Sequence, residues 1–573
     1  MSKSIFKFTL LLFLVAGCST ERYAMPDTFE GSADAQPTLN IVESRSMYLF
    51  SLARLHAVDG DYDAALTLLQ ASIEADPQSA FLHVSVADLY LKLNRIQEAI
   101  NSSRTAISLD PNLGEAQLLL ANMLAGLKQE RAAIDHYKRG IELLPDKEEA
   151  YLQLAIVYLR LFEYEEAVKT LKSLIEKDPD SPLAYYYLGK CYEQMKLPNE
   201  ALGYYRRVIE MKPDFEPAYL DIGLSQEAQG KRAEAIKSFE ALLRVNPHNF
   251  SVMQHLVQIY IQEKRLDDAL KTLNILISRG VGGFDTRRKA GLVYLELEQY
   301  DNAIREFEFI LAQEPKASQV RFYLGSAYED KGDSARAIEE FRKIPPDAFN
   351  YPDALAHIAY IYLDAGEGDK GVALLTDAIA VDSNRFEFYL HLAGVYEGQK
   401  RYREALDTLL AVETRFPDES RIHFRIGILH DKLGERDKLV ERMKKVLALA
   451  PDDPQALNYL GYTYVEMGTN LDEALLLLKK AVSLRPNDGF ILDSLGWAYF
   501  KLKRYRDAVS ELERAVEIVS DDPTIKEHLA DAYMATRDYT NAIKLYRQVL
   551  QLEPERKDII EKIKKAKAES GEK

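Results

Sequence analysis

Apolar and small side chains return along this chain in three registers, each with a spacing of 34 residues. The first register is small in nearly every repeat, from Ala53, Ala87, Ala121 and Ala155 through Gly189, Gly223, Gly291 and Gly325 to Gly496 and Ala530, with Val257 the exception. Twelve residues later comes alanine, from Ala65 and Ala99 to Ala508 and Ala542, with only Gly371 and Leu439 departing. Proline follows after twelve more at Pro77, Pro111, Pro145, Pro179, Pro213, Pro247, Pro315, Pro417 and Pro451, before a one-residue slip moves the grid to Pro486 and Pro554. A period of this length, kept through about fifteen repeats over residues 46–556, marks an array of stacked units.

Each repeat predicts two short helices. The first carries apolar or aromatic residues at its fourth, seventh and eleventh positions, as in Tyr185, Leu188 and Tyr192 or Leu492, Leu495 and Tyr499, which puts one stripe on one face. The small residue at position 8 and the alanine at position 20 let the two helices approach, where a larger side chain would overpack the contact. Acidic-proline pairs such as Asp76-Pro77, Asp110-Pro111 and Asp178-Pro179 end the second helix, because proline disfavours helical geometry in the residue before it. Three places break the rhythm: Gly280 to Gly283, Pro345-Pro346-Asp347 to Pro352, and an extra residue near Gly468-Thr469-Asn470.

Composition narrows the function. The formal charge of -17 repels phosphate backbones, so no nucleic-acid partner is expected. Cys18 and Cys191 are the two cysteines; Cys191, at position 10 of its repeat, reads as a packed small hydrophobe. Gly280-Val281-Gly282-Gly283 follows no strand and precedes no Lys-Ser or Lys-Thr pair, so it is a turn and not a phosphate loop. His423 and His430 share a helix face but sit at core positions 4 and 11. His357 and His391 occupy equivalent sites in successive repeats, separated by more than one interaxial spacing of roughly 8 to 10 Å, too far to share a metal. No cofactor, metal site or catalytic constellation is expected, and the chain reads as a non-enzyme.

The spacing resembles the tetratricopeptide repeat, with a large residue at position 4, leucine at 7, glycine or alanine at 8, alanine at 20, an aromatic or aliphatic residue at 24 and proline at 32. The resemblance implies an all-α, right-handed α-solenoid of about fifteen 34-residue repeats whose first helices line a groove through positions 2, 5, 6, 9, 12 and 13. Groove residues of interface type are then Tyr186, Lys190, Arg288, Lys289, Tyr360, Arg421, Arg425, Tyr459, Tyr462 and Trp497. Trp497, the single tryptophan, stands at position 9 and is expected to be an exposed anchor. The lysine, asparagine and arginine set with which some family members clamp a chaperone's terminal carboxylate is missing: Asn122 stands at position 9 of the third repeat, but position 5 is Leu118.

The ends suggest export. Residues 1–17 carry Lys3 and Lys7 and an apolar run from Phe8 to Ala16, a signal-peptide core too short to span a membrane. Val15-Ala16-Gly17-Cys18 resembles the bacterial lipobox, which implies acylation of Cys18 and cleavage before it; Ser19 in place of aspartate implies sorting to the outer membrane. Residues 18–45 read as the lipidated cysteine and a flexible tether, with a reach on the order of 90 Å from Ser19 to Arg45. Residues 557–573 read as a capping helix and tail, with Ile559, Ile560 and Ile563 on the last repeat.

Residues 458–518, with the GYT and DSLGWAYF stretches, resemble the carboxyl-terminal half of outer-membrane tetratricopeptide lipoproteins that act as adaptors for periplasmic carboxyl-terminal processing proteases. That resemblance implies a partner serine protease and its substrates, such as cell-wall hydrolases, held near the periplasmic face of the outer membrane. Alternatives of the same scaffold class are lipoproteins of secretion, pilus or exopolysaccharide systems. A different class is a peptidoglycan- or polysaccharide-binding module, in which Tyr459, Tyr462 and Trp497 would stack on sugar faces.

Overall fold

A computed structural model describes residues 41–571. Among them thirty-one helices, numbered α1 to α31 in chain order, form fifteen antiparallel hairpins and a final single helix. The chain is divided into two compact units, one ending at Pro247 and the other starting at His248. The first holds six hairpins, from α1 (Ile41–Val58) and α2 (Tyr62–Ala75) to α11 (Glu216–Ala228) and α12 (Arg232–Val245). The second holds nine, from α13 (Phe250–Gln262) and α14 (Leu266–Ser278) to α29 (Pro523–Ala535) and α30 (Tyr539–Leu552), followed by α31 (Lys557–Ser570).

The registers find their cause in the hairpin interface. Every alanine of the second register, from Ala65 to Ala542, is fully buried. Where position 8 is glycine and position 24 aromatic, the ring packs directly on the glycine: a β-carbon at Gly189 would stand 2.4 Å from the Tyr205 ring, and one at Gly223 2.4 Å from Phe239. The rings themselves are wholly buried. All hairpins but the thirteenth turn through a single residue in the left-handed region, at Gly60, Asn94, Lys128, Phe162 and Lys196 and onward to Lys503 and Arg537. In the second repeat the Asn94 N–H bonds back to the Leu91 carbonyl and the Arg95 N–H to the Tyr90 carbonyl, closing the helix end.

The irregular places are local. Gly280, Gly282 and Gly283 all take positive φ before α15 (Gly283–Glu296). α18 (Ser334–Arg342) stops after nine residues, ahead of Pro345 and Pro346. Gly468 and Asn470 are both left-handed, which accommodates the extra residue before α26 (Leu471–Leu484). One boundary differs from the sequence reading. α1 begins at Ile41, inside the segment 18–45 taken as tether, because no glycine or proline lies between Pro37 and the first repeat. The expected signal peptide and Cys18 lie outside the described residues.

At the other end α31 starts at Lys557, with Ile559 fully buried and Ile563 packed against the same core. Ile560 stays largely on the surface.

Candidate groove

Within each unit the first helices of several neighbouring repeats touch, as α25 (Pro454–Met467) and α27 (Gly489–Lys501) do, and α27 and α29. Their contact brings position 9 of one repeat against position 6 of the next. Lys190 thus meets Asp221 (3.2 Å), Trp497 meets His528 (ring centroids 4.0 Å) and Asp531 meets Lys562 (2.7 Å). Many groove side chains therefore already have a partner inside the protein. The sequence registers did not reveal this pairing, since its members lie 31 residues apart and share no residue type.

In the first unit Tyr186 and Lys190 converge on Asp221. The Tyr186 hydroxyl donates to Asp221 Oδ2 at 2.8 Å, and its ring packs edge-on against Tyr187 and Phe215. Burial raises the pKa of Asp221, against the pull of Lys190, and burial with the neighbouring Asp221 charge raises that of Tyr186. The two residues brace this stretch. Cys191, on the same helix, is fully buried and its thiol is pushed up to about 12 by burial. In the second unit Arg288 and Lys289 are bound by Asp285 of their own helix, at 2.5 and 2.8 Å.

The other six predicted residues come together along the second unit. Tyr360, Arg421 and Arg425 line a cleft of about 300 Å³ with Leu390, His391 and Phe424. Glu397 holds Arg425 at 2.8 Å, while Glu419 holds Arg421 at 2.9 Å and turns its guanidinium over the Phe386 ring. Tyr459 and Tyr462 line a second cleft of about 560 Å³ with Asp431, Arg436, Phe490 and Asp493. The edge-to-face pair Phe424–Tyr459, centroids 5.6 Å apart, stands where the clefts meet. Burial, with Glu466 and Asp493 beside it, pushes the Tyr462 phenol up to about 12.

Trp497 differs from the exposed anchor expected of it. It is half-buried, its indole N–H donates to Glu466 Oε1 at 2.9 Å, and its ring stacks on His528 and, at 4.7 Å, on Phe500. His528 in turn hydrogen-bonds Asp493 at 2.9 Å. Indole and imidazole thus hold two carboxylates of the second cleft, Glu466 and Asp493.

His423 and His430 are buried, on the Pro417 carbonyl and on Glu435, as their core positions require. Among the described residues no group of three or more histidine, cysteine, aspartate or glutamate side chains is arranged to hold a metal ion. A further cleft of about 470 Å³, in the first three repeats, was missed in the sequence. Phe50, Arg54, Phe81, Val84, Asp88 and Leu119 line it, with Phe50 and Phe81 edge-to-face at 5.3 Å. Its residues stand at the same groove positions, but its surface is mostly aliphatic and phenylalanine, without the run of tyrosines and arginines that marks the later repeats.

Family models described as tetratricopeptide repeat match residues 31–80, 288–354, 358–420 and 494–556, residues 59–123, 124–188 and 227–281, and residues 182–215. No curated protein matches the chain. Among solved structures it is similar to Naa15/Naa10 bound to HypK-THB, at 14% identity and TM-score 0.42, covering 92% of this chain and 97% of that one. It is also similar to yeast Tom70, at 17% identity and TM-score 0.37 over 74% and 95% of the two chains. A third similar structure is YrrB, described as a TPR protein with an unusual peptide-binding site, at 18% identity and TM-score 0.29 over 33% and 96%.

Proposed function

The chain belongs to the tetratricopeptide repeat family, and from that premise we propose that it is a lipid-anchored protein-interaction scaffold on the periplasmic face of a bacterial outer membrane. The repeats supply a binding surface and not a reaction. The observation that carries the reading is the run of two joined clefts from Tyr360 to Asp493, where aromatic faces and arginines sit side by side on rigid helices. Such residues make most of the energy of protein contacts. Anchoring rests on the lipobox-like Val15-Ala16-Gly17-Cys18, and the choice of partner on the resemblance of residues 458–518 to adaptors of carboxyl-terminal processing proteases. A scaffold that holds such a protease and its substrate raises their effective concentration without contributing a catalytic group.

Capture from detergent-solubilised envelopes tests this. A processing protease should co-purify with the parent, and an Arg421→Glu, Arg425→Glu double variant should lose it. Retention on insoluble peptidoglycan with no protein partner would replace the scaffold by a glycan-binding module. The stacking of Trp497 on His528 and Phe500 weighs against that module, because it leaves less of the indole for a sugar.

A further inference from the structure

The two joined clefts differ in charge. The first presents Arg421 and Arg425, with Asp453 as its one acidic lining residue. Glu397 and Glu419 neutralise part of the guanidinium charge, yet each arginine binds them through only one or two of its nitrogens, which leaves further N–H donors on two side chains that line the cleft. The second presents Asp431, Glu466 and Asp493 against the single Arg436. Its walls are Tyr459, Tyr462 and the well-exposed Phe490, and the Asn458 amide oxygen there is out of solvent contact with no hydrogen-bond partner. Aromatic faces edged by carboxylates suit an ammonium or guanidinium, which gains cation–π and ionic contact together. Between the clefts the Phe424–Tyr459 pair offers mainly aromatic ring surface.

We infer that this groove recognises an extended protein segment of mixed charge: an acidic side chain at Arg421 and Arg425, an apolar residue across Phe424 and Tyr459, and a lysine or arginine among Asp431, Glu466 and Asp493. The inference rests on the scaffold reading and adds the chemistry of the partner. Opposite charges in fixed order also exclude. A uniformly acidic segment meets the carboxylates of the second cleft, and a uniformly basic one meets the guanidiniums of the first, so selection comes from repulsion as well as attraction.

The single tryptophan supplies the readout, because Trp497 is hydrogen-bonded to Glu466 at the edge of the second cleft. Four glycine-spaced peptides of equal length serve as probes: one with two aspartates, a central phenylalanine and two lysines, one all-aspartate, one all-lysine and one uncharged, the last three keeping the phenylalanine. The mixed peptide should change Trp497 fluorescence and bind about tenfold more tightly than any other, the equivalent of about 1.4 kcal/mol. Asp431→Asn and Arg425→Gln should each remove most of that advantage, with far-ultraviolet circular dichroism unchanged. If the all-lysine or the uncharged peptide binds as tightly as the mixed one, the charge order is wrong while the scaffold reading stands. If none of the four binds and the captured partner cross-links to the first three repeats, this groove is not the docking site and both statements about it fall.

Discussion

Gly223 shows how much of this fold depends on a missing methyl group. Alanine is the better helix former by about 1 kcal/mol, yet at this site its β-carbon would stand 2.4 Å from the wholly buried Phe239 ring. Ring and helix would have to separate, so Gly223→Ala should destabilise the first unit by about 1–3 kcal/mol in urea denaturation. A neutral result would mean that the hairpin relaxes at no cost. Cys191 gives a second expectation. Its pKa, raised by burial to about 12, lies above the ordinary thiol value. The neutral thiol is therefore favoured in the fold, and its contribution to stability is complete below about pH 8.5 and is lost as pH rises toward 12. Alkylation at pH 8 should be slow in the native protein and fast in denaturant. The small registers were legible because each is a steric demand repeated in every unit. The contact between position 8 and the ring at position 24 needed coordinates, since neither residue names the other.

At the scale of the helical hairpin, the left-handed turn residue escaped the sequence altogether. It is glycine at Gly60, Gly230, Gly332, Gly366, Gly434 and Gly468, but elsewhere it is Asn94, Lys128, Phe162, Lys196, Lys264, Glu298, Lys400, Lys503 or Arg537. Helix packing imposes that conformation whatever the side chain, so composition carries no uniform signal. Phe162 is the bulkiest of these, mostly exposed and at φ 61°. Phe162→Gly should stabilise by about 0.5–1 kcal/mol, the relief of left-handed strain exceeding the extra chain entropy of glycine. A loss of stability would show that the edge contact of Phe162 with Tyr164 matters more. The final helix was legible through its isoleucines but not through its cation. Lys562 of α31 reaches Glu527 at 2.8 Å and Asp531 at 2.7 Å on the groove face of the last repeat. Lys562→Met would leave Asp531 without its cation and Glu527 with Arg556 alone, at a cost of about 1–2 kcal/mol once partial exposure is discounted. Hydrogen exchange should then quicken in α29 to α31 and stay unchanged in the first unit, and added salt should narrow the difference.

For the whole molecule, the groove residues could be placed from the repeat register, whereas their freedom to bind could not. Arg288 and Lys289 are taken up by Asp285, Tyr186 and Lys190 by Asp221, and Trp497 by His528 and Glu466, all through neighbours that the register alone does not identify. Attachment to the membrane is a separate matter. No described helix is long and apolar enough to cross a bilayer; the anchoring proposed above rests on the lipobox-like sequence ending at Cys18. The proposed diacyl group would be joined to the Cys18 thiol, so losing that thiol would remove its site of attachment. Cys18→Ala should therefore abolish incorporation of labelled palmitate and move the protein from the membrane pellet to the soluble fraction, with its helicity unchanged. If the variant still sediments with membranes in high salt and still takes up label, the lipid is attached elsewhere and the lipobox reading fails. If it sediments without label, a protein partner holds it, and an Arg421→Glu, Arg425→Glu change in the same background should release it.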